Sequence, residues 1–169
     1  MAIDAFLDFT ASSPSIKGEA QDDNTPSMKD TFHVKSFSFS ITQKGTAATG
    51  SGLGAGKAEF EDFEFTIDTQ KGSAYLMKHC AAGTHITGGV KLHVRKAGGT
   101  QVEFLTYTFQ SVLISSFSTS GEEESTDTVK FNFKSVFANY IPQDNDGKLL
   151  TGDASKGGWD LKGNKEVTG

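Results

Sequence analysis

The sequence predicts a mainly β fold: a single β-barrel or two-sheet barrel with one short flanking α-helix and a long glycine-rich loop. Three observations favour this class. The chain has 169 residues, enough for one domain with its own hydrophobic core. It contains 14 Phe, which favours pleated, half-buried surfaces, and only 3 Pro that could interrupt strand ladders. Several segments alternate apolar and polar residues with the period of two that is typical of strands.

The first strand is predicted over residues 2–10. Its alternating apolar residues share one face: Ile3, Ala5, Leu7 and Phe9. Phe6 interrupts this alternation, which makes its side chain a candidate for contact with a partner. Residues 11–30 contain proline and clusters of Ser, Asp and Asn, and they are predicted to form a loop.

A second strand, predicted over Thr31–Thr42, changes phase part-way. Phe32 and Val34 share one parity. The next apolar residues share the other parity, and we expect all of them in the core: Phe37, Phe39 and Ile41. Such a slip indicates a β-bulge near Lys35, which would bend the strand as barrel closure requires. A related slip follows Phe60.

One short helix is predicted from Ser73 to Ala81, with Ser73 as its cap and Gly83 as its end. Its apolar side is expected to carry three residues: Leu76, Met77 and Cys80. Strands follow at Ile86–Lys96 and Gln101–Phe117, joined by a tight turn. Later strand residues are also expected: Val129, Phe131, Phe133, Tyr140, Trp159 and Leu161. The total is about seven or eight strands, with no internal repeat.

Composition argues against several classes of function. The net charge of −5 disfavours nucleic acid as a partner, because binding would need a basic face. A single cysteine, Cys80, allows no intrachain disulfide. The first residues lack the pattern of a secretory leader, and no apolar run approaches a membrane span. We therefore expect assembly in the cytoplasm, no membrane insertion, and export without a cleaved leader.

Three patterns resemble nucleotide-binding or metal-binding motifs, but each is better explained as an ordinary loop, helix or turn. The run Gly50–Lys57 departs from the Walker A spacing, and an acidic, strand-like segment follows it where a helix would be needed. His79 and Cys80 are neighbours on the predicted helix and point about 100° apart, so they do not share a metal ion easily with His85. The turn Asp144–Gly147 lacks the later ligands of a calcium loop. We predict no catalytic residue, no metal and no cofactor.

Several motifs occur in an order that matches one known family. They are Ile16-Lys17-Gly18-Glu19, Phe63-Glu64-Phe65-Thr66, Leu76–Ile86, Val94-Arg95-Lys96-Ala97-Gly98-Gly99, Val112–Ser116, Tyr140–Gly147 and Gly158-Trp159. The series resembles the haemolysin-coregulated protein (Hcp) family of bacterial type VI secretion. Departures are local: Ser12–Ser15 is an extra segment, Ala20 replaces a Ser, and Phe37 and Phe39 stand where the family often has Trp.

The resemblance implies a non-catalytic tube subunit. Residues 1–169 would form a single Hcp-like barrel domain without a C-terminal effector extension. Six copies would form a ring, and stacked rings would form the inner tube that a contractile sheath propels. The partners would be further copies of the chain, sheath proteins, a spike protein at the tube tip, and small effector proteins in the lumen. After assembly in the cytoplasm, the protein would be secreted.

Two sets of residues are candidate sites. The first set is Ser36, Ser38 and Ser40, which lie on the face opposite the Phe row. Their small hydroxyl groups suit a lumen wall that contacts effectors, although an ordinary solvated face has the same composition. The loop Gln43–Lys57 is expected to mediate ring stacking through these residues: Gly45, Gly50, Gly52, Leu53, Gly54 and Gly56. We also expect strand edges and the helix to pack between neighbouring copies.

Two other functions remain open from the sequence. A monomeric β-barrel that binds sugar or lipid would need an aromatic-lined pocket. A hydrolase would need His33 or His93 to pair with an acidic residue, and neither has an evident partner in the sequence. Both rivals predict a monomer in solution, whereas the tube subunit predicts a ring.

Overall fold

The computed structural model describes residues 2–23, 25–45 and 56–169. In these ranges the chain forms one α-helix, α1 (Ser73–Ala82), and two 3-10 turns, Pro26–Met28 and Thr151–Asp153. The strands, in chain order, are β1 (Ile3–Asp8), β2 (Phe32–Val34), β3 (Ser36–Ser38), β4 (Ile41–Thr42), β5 (Glu59–Phe60), β6 (Phe63–Asp68), β7 (His85–Lys96), β8 (Glu103–Gly121), β9 (Ser125–Asn132), β10 (Ser135–Tyr140), β11 (Ser155–Asp160) and β12 (Lys165–Glu166).

The strands pair in a circuit, which we call the barrel. β1 pairs with β2 and β7, β7 pairs with β8, and β8 pairs with β9. β9 pairs with β6 and β6 with β3, which follows β2 directly in the chain and so completes the circuit. β10, β11 and β12 extend outward from the first half of β8. The mainly β fold with one short helix is as the sequence predicted.

Two bent strands divide the barrel into two sheets. The first sheet contains β2, β1, β7 and the first half of β8, extended by β10–β12. The second contains β3, β6, β9 and the second half of β8. Lys35 marks one bend, as predicted, and its N–H donates a hydrogen bond to the Thr66 carbonyl over 2.8 Å. The other bend lies in β8, where Ser111 has a positive φ and the register against β9 shifts between Ile114 and Ser116.

The bends explain why the structure has more strands than the sequence indicated. The predicted strand over Thr31–Thr42 is three separate segments, β2, β3 and β4. The slip after Phe60 is a change of sheet, because β5 pairs only with β4 among the described strands whereas β6 joins the barrel. We call the β4–β5 pair the ribbon.

Phenylalanine rings fill the space between the two sheets. The side chains of Phe63, Phe65, Phe109 and Phe131 are fully buried, and the Phe63 ring centre lies 5.0 Å from those of Phe109 and Phe131. Each such ring contributes on the order of 1.5–3 kcal/mol through burial alone. The predicted alternation therefore identified the core of both sheets.

The row that begins at Phe37 was predicted to be entirely core, and this is wrong for its last member. Phe37 and Phe39 pack against the core, whereas Ile41 is 52% exposed. The reason is that the chain leaves the second sheet after β3, so the alternation continues in the ribbon where no core faces it.

Phe6 was a candidate for contact with a partner, but its own chain covers it. The side chain is buried, its ring centre lies 5.1 Å from that of His33, and the Arg95 guanidinium carbon lies 4.7 Å from its centre. The Phe6 ring thus lies beneath the charged side chains that cluster on the outward face of the first sheet.

The helix begins and ends close to the predicted residues. Gly83 is left-handed, with φ of 63°, and ends it as predicted. Gly72, not Ser73, is the N-cap, and the Ser73 hydroxyl instead accepts a hydrogen bond from the Gln70 N–H over 2.9 Å. Leu76 is buried and Cys80 packs against the core, but Met77 is 54% exposed and does not belong to the packed side.

The two ends of the barrel differ. β2 runs antiparallel to β1, from Phe32 opposite Leu7 to Val34 opposite Ala5, so the ribbon leaves at the end where β1 begins. The opposite end carries the β8–β9 turn, residues 121–125, and the start of α1 after β6. We call these the ribbon end and the helix end.

Candidate functional site: a hydroxyl face and the ribbon

The outward face of the second sheet is covered with small hydroxyl side chains. Ser36 pairs with Thr66, Thr66 with Thr128, and Thr128 with Ser118, one residue from each of the four strands. The Thr66 and Thr128 hydroxyl oxygens lie 3.4 Å apart. The neighbouring inward residues of β6 and β9 are buried, because successive side chains of a strand point to opposite faces; they are Phe, Val and Ile, with Asp127 as the one polar member. We call this surface the hydroxyl face.

The next row of the hydroxyl face contains an ion pair. Ser38 pairs with Glu64, Glu64 with Lys130, and Lys130 with Ser116. The Glu64 carboxylate and Lys130 ammonium lie 3.4 Å apart, with side chains 42% and 47% exposed. A pair this exposed contributes little to stability, so the row is a hydrated surface and not a structural anchor.

Ser38 and Ser40 lie on one groove at the edge of this face. Its cavity volume is about 400 Å³, and the residues that line it are Ser38, Phe39, Ser40, Phe60, Glu61, Asp62, Glu64 and Lys130. Ser115, at the bulge of β8, donates a short hydrogen bond to the Asp62 carboxylate and fixes one wall. The structure thus places all three predicted serines on one outward surface, with Ser36 in the adjoining row.

The second sheet has two unpaired edges. In the described part of the chain, β3 pairs only with β6, and β8 beyond Leu113 pairs only with β9. No residue pattern predicts these edges directly, since they depend on which strands become neighbours. An unpaired edge offers backbone N–H and C=O groups to a strand of another chain.

The ribbon is the described base of the predicted stacking loop. Ile41 pairs with Phe60 and Thr42 with Glu59, and the Lys44 ammonium lies 3.2 Å from the Glu59 carboxylate. The other predicted loop residues fall into two groups. Gly45 and Gly56 lie at the base, whereas the rest are outside the described residues: Gly50, Gly52, Leu53 and Gly54.

Gly56 has a visible physical reason to be glycine. A Cβ added there would lie 2.8 Å from the Lys44 carbonyl oxygen, which is closer than such contacts allow. At Gly45 nothing lies within 4 Å of an added Cβ, so the described residues place no such restriction there.

The outward face of the first sheet holds acidic partners for both histidines, contrary to the sequence-based expectation. His93 Nδ1 and Glu103 Oε2 lie 2.6 Å apart, and His93 Nε2 lies 3.9 Å from Asp8. His33 Nε2 lies 3.8 Å from Asp4. These partners lie on neighbouring strands. The register of the β7–β8 hairpin brings Glu103 close to His93, so predicting that register would have identified this pair.

Glu103 is the member of this cluster whose ionisation is clearly perturbed. Burial opposes its charge, but the hydrogen bond and charge of His93, together with the Thr106 hydroxyl and the Lys91 charge, outweigh burial and lower the pKa of the Glu103 carboxyl below its ordinary value. The Thr106 hydroxyl donates a further hydrogen bond to this carboxylate over 2.9 Å. The arrangement ties β7 to β8 across the face.

A buried arginine holds the loop between β1 and β2, and the sequence did not single it out. The Arg95 side chain is 5% exposed and makes a short ion pair with Asp22 and a longer one of 3.6 Å with Asp4. It also donates a hydrogen bond to the Thr25 hydroxyl over 3.0 Å. Asp22 and Thr25 are thereby fastened to the outward face of the first sheet.

The remaining residues weighed for metal binding are His79, Cys80, His85 and the turn Asp144–Gly147. Nowhere in the described ranges do three or more His, Cys, Asp or Glu side chains gather as a metal ion would need. Burial lowers the pKa of the His79 imidazole, and the neighbouring Lys78 charge adds to this. The Asp144 carboxylate accepts hydrogen bonds from the Asp146 and Lys148 N–H groups, which closes a turn. No helix among the described residues is long and apolar enough to cross a membrane.

Most of the chain matches one family of known proteins. The profile of the family described as "Type VI secretion system effector, Hcp" matches residues 6–140, which include the hydroxyl face and the ribbon. Protein hcp1 of Pseudomonas aeruginosa is 39% identical over 115 residues, which are 66% of this chain and 70% of that protein.

Solved structures share the fold. Hcp1 from Salmonella typhimurium is 32% identical, with a TM-score of 0.77 over 99% of this chain and 100% of that one. A structure described as a type six secretion system protein has a TM-score of 0.86 at 27% identity, over 98% of this chain and 100% of that one. The chain therefore belongs to the Hcp family of type VI secretion proteins.

Proposed function

We propose that this chain is the subunit of a hexameric ring, that the rings stack into the type VI inner tube, and that small effectors travel in the lumen. Its role is structural and not enzymatic. The observation that carries the proposal is the second sheet, which combines a hydrated outward face with an unpaired edge on each side. Edge-to-edge pairing of such sheets between copies would make a continuous wall.

Strand spacing gives the size of that wall. Neighbouring strands lie about 4.8 Å apart, so four strands per copy and six copies give a circumference of about 115 Å and a diameter of about 37 Å, before strand tilt widens it. A compact passenger of about 100 residues has a radius of gyration of about 13 Å and so a diameter of about 34 Å, which fits such a lumen only after strand tilt has widened it. The head-to-tail edges, β3 on one side and β8 on the other, suit a closed ring.

The composition of the hydroxyl face suits a passage. Ser and Thr hydroxyls remain hydrated and offer no contiguous apolar surface to which a passenger would adhere. Under this proposal the outward face of the first sheet, with its His93 and Arg95 clusters, lies on the tube exterior and faces the sheath. The chain would assemble in the cytoplasm, dock with a spike protein at the tube tip, and leave the cell with the tube.

A monomeric ligand-binding module is the rival function. The groove beside Ser38 and Ser40 has a volume in the range of small-molecule sites. However, half of the residues that line it are charged: Glu61, Asp62, Glu64 and Lys130. Most ligand pockets are lined predominantly by apolar side chains, so the groove favours a protein surface over a sugar or lipid.

Spin-label distances test which face lines the lumen. Ser38→Cys and Lys91→Cys, each made with Cys80→Ser, place one label on the outward face of the second or the first sheet. Because packed sheets lie about 10 Å apart, the largest distance across the ring should be about 20 Å longer for the Lys91 label than for the Ser38 label, and the Ser38 distance should be about 37 Å or more, depending on strand tilt.

Light scattering on the same variants gives the number of copies per particle. A protein that stays monomeric at high concentration would exclude the ring and support the rival module. Rings in which the Lys91 labels are closer than the Ser38 labels would retain the ring but place the hydroxyl face on the exterior.

A further inference from the structure

The groove beside Ser38 and Ser40 has the composition of a site for a cationic side chain. Its cavity volume of about 400 Å³ is at the low end of small-molecule sites, so it admits side chains and not a folded domain. Part of its wall is formed by two half-buried aromatic residues, Phe39 and Phe60. Three carboxylates and one ammonium contribute the charged part of the wall: Glu61, Asp62, Glu64 and Lys130.

The groove is formed before any partner binds, because hydrogen bonds join the segments that line it. The Glu61 N–H donates to the Ser40 carbonyl over 3.0 Å, which holds the residue after β5 against the segment between β3 and β4. The Ser115 hydroxyl of β8 donates to the Asp62 carboxylate and holds the next residue of the wall. A side chain that enters the groove therefore meets fixed partners, and most of the ordering on binding falls on the ligand.

The aromatic part of the wall is continuous with the core. The Phe39 ring centre lies 5.5 Å from that of Tyr107, and the Phe60 ring centre lies 6.3 Å from that of Phe133, both in edge-on contacts. These contacts keep the two rings beside the carboxylates of the groove. Apolar rings next to carboxylates suit a side chain that has a methylene stem and a cationic head.

The negative charge of the groove is only partly offset. The Lys130 ammonium lies 3.4 Å from the Glu64 carboxylate. Glu61 is exposed and forms no ion pair with a residue of the described ranges, and within those ranges Asp62 is held only by a hydroxyl group. Two neighbouring carboxylates thus remain for a ligand. A guanidinium presents five N–H donors in a planar fork and can serve both carboxylates, whereas an ammonium is a point charge.

We propose that this groove binds an exposed arginine side chain of a passenger protein, with its methylene stem against Phe39 and Phe60 and its guanidinium on the Glu61 and Asp62 carboxylates. The proposal rests on the proposed tube function and names the class of passenger, a protein with arginine at its surface. Six copies would repeat the groove every four strands, about 19 Å apart along the lumen wall. A passenger with several arginines then engages several weak sites at once, so the ring as a whole retains it.

Two peptides that differ only in one head group test the site. Fluorescence anisotropy compares the binding of a labelled Gly-Ser-Arg-Ser-Gly peptide with that of its counterpart in which citrulline, a neutral isostere, replaces arginine. Wild-type rings should bind the arginine peptide at least about threefold more tightly at low salt, and the preference should fall as salt screens the carboxylates.

Three variants locate the binding. Glu61→Gln should weaken binding of the arginine peptide by about threefold, because it removes one of the two available carboxylates. Lys130→Gln should tighten binding by about threefold, because it removes a repelling charge and frees Glu64, and a damaged fold would not produce a gain. Glu122→Gln is the matched control, since this exposed residue of the β8–β9 turn lies outside the groove, and it should leave binding unchanged.

Light scattering on every variant separates the groove from the ring. Intact rings with weaker binding in Glu61→Gln and tighter binding in Lys130→Gln would support the groove. Intact rings that bind both peptides equally, or that lose as much binding in Glu122→Gln as in Glu61→Gln, would overturn the groove and leave the tube function standing. A chain that stays monomeric would overturn the tube function and, with it, the passenger as occupant of the groove.

Discussion

Replacing Gly18 by alanine should destabilise the protein far more than a surface glycine substitution. Gly18 lies in the motif Ile16-Lys17-Gly18-Glu19, and a Cβ added there would lie 2.2 Å from the Thr31 carbonyl oxygen. The obstacle is backbone, which cannot rotate away as a side chain could. The Gly18 N–H donates to the Asp30 carbonyl over 2.8 Å, and the Ala20 N–H donates to the Thr31 carbonyl over 3.0 Å, so separating the segments also strains these bonds.

The magnitude follows from these contacts. Overpacking of a tight site costs about 1–3 kcal/mol, and one lost hydrogen bond adds about 0.5–1.5 kcal/mol, so the free energy of unfolding should fall by about 2–4 kcal/mol. A domain of this size loses about 2–4 °C in Tm per kcal/mol, which gives a decrease of about 4–16 °C.

Scanning calorimetry at one fixed protomer concentration measures this change, because assembly also stabilises the folded chain. Gly157→Ala is the matched control, since nothing lies within 4 Å of an added Cβ at that position and its φ is not positive. The control should melt close to the wild type. A Gly18→Ala protein that melts together with the control would refute the inference that close backbone approach requires glycine in this motif.

Two further predictions concern the outward face of the first sheet. Arg95→Ala should lower the free energy of unfolding by about 3–5 kcal/mol, because it leaves the Asp22 and Asp4 carboxylates beside an empty site. Urea titration measures this, and a loss no larger than that of the exposed control Lys156→Ala would contradict it. Glu103 has a folded-state pKa below its ordinary value of 4.5, so its ionised form stabilises the fold above that pH, and the contribution is lost as the pH falls through the lowered pKa. The free energy of unfolding of Glu103→Gln should therefore be lower than that of the wild type at about pH 7, and this difference should shrink towards about pH 3. A difference that is independent of pH would show that the His93 contact does not act through charge.

Local chemistry made much of the fold predictable. The alternation of Phe with polar residues identified the inward faces of β6 and β9, and the phase change at Lys35 identified a bend that the structure contains. Gly83 ends the helix as predicted, because glycine adopts the left-handed conformation there without strain. These features depend on residues close in the chain, so the sequence alone was sufficient to predict them.

Features that depend on strand neighbours were not predictable in the same way. The alternation that placed Phe37 and Phe39 correctly continues to Ile41, but only the pairing of β4 with β5 shows that Ile41 has left the core. Likewise, Phe6 is covered by Arg95 and His33, and Glu103 meets His93, because β1, β2, β7 and β8 lie side by side.

The sequence by itself determined the class of fold, the positions of most core residues, the three serines on one outward surface, and the family. Only the tertiary structure decided which sheet edges stay unpaired, that Ser38 and Ser40 share a groove, and that the ribbon and the start of α1 lie at opposite ends of the barrel. The physical reason is that side-chain alternation and glycine conformation are set within a few residues. Strand order and the direction in which each end faces are set by the packing of segments far apart in the chain.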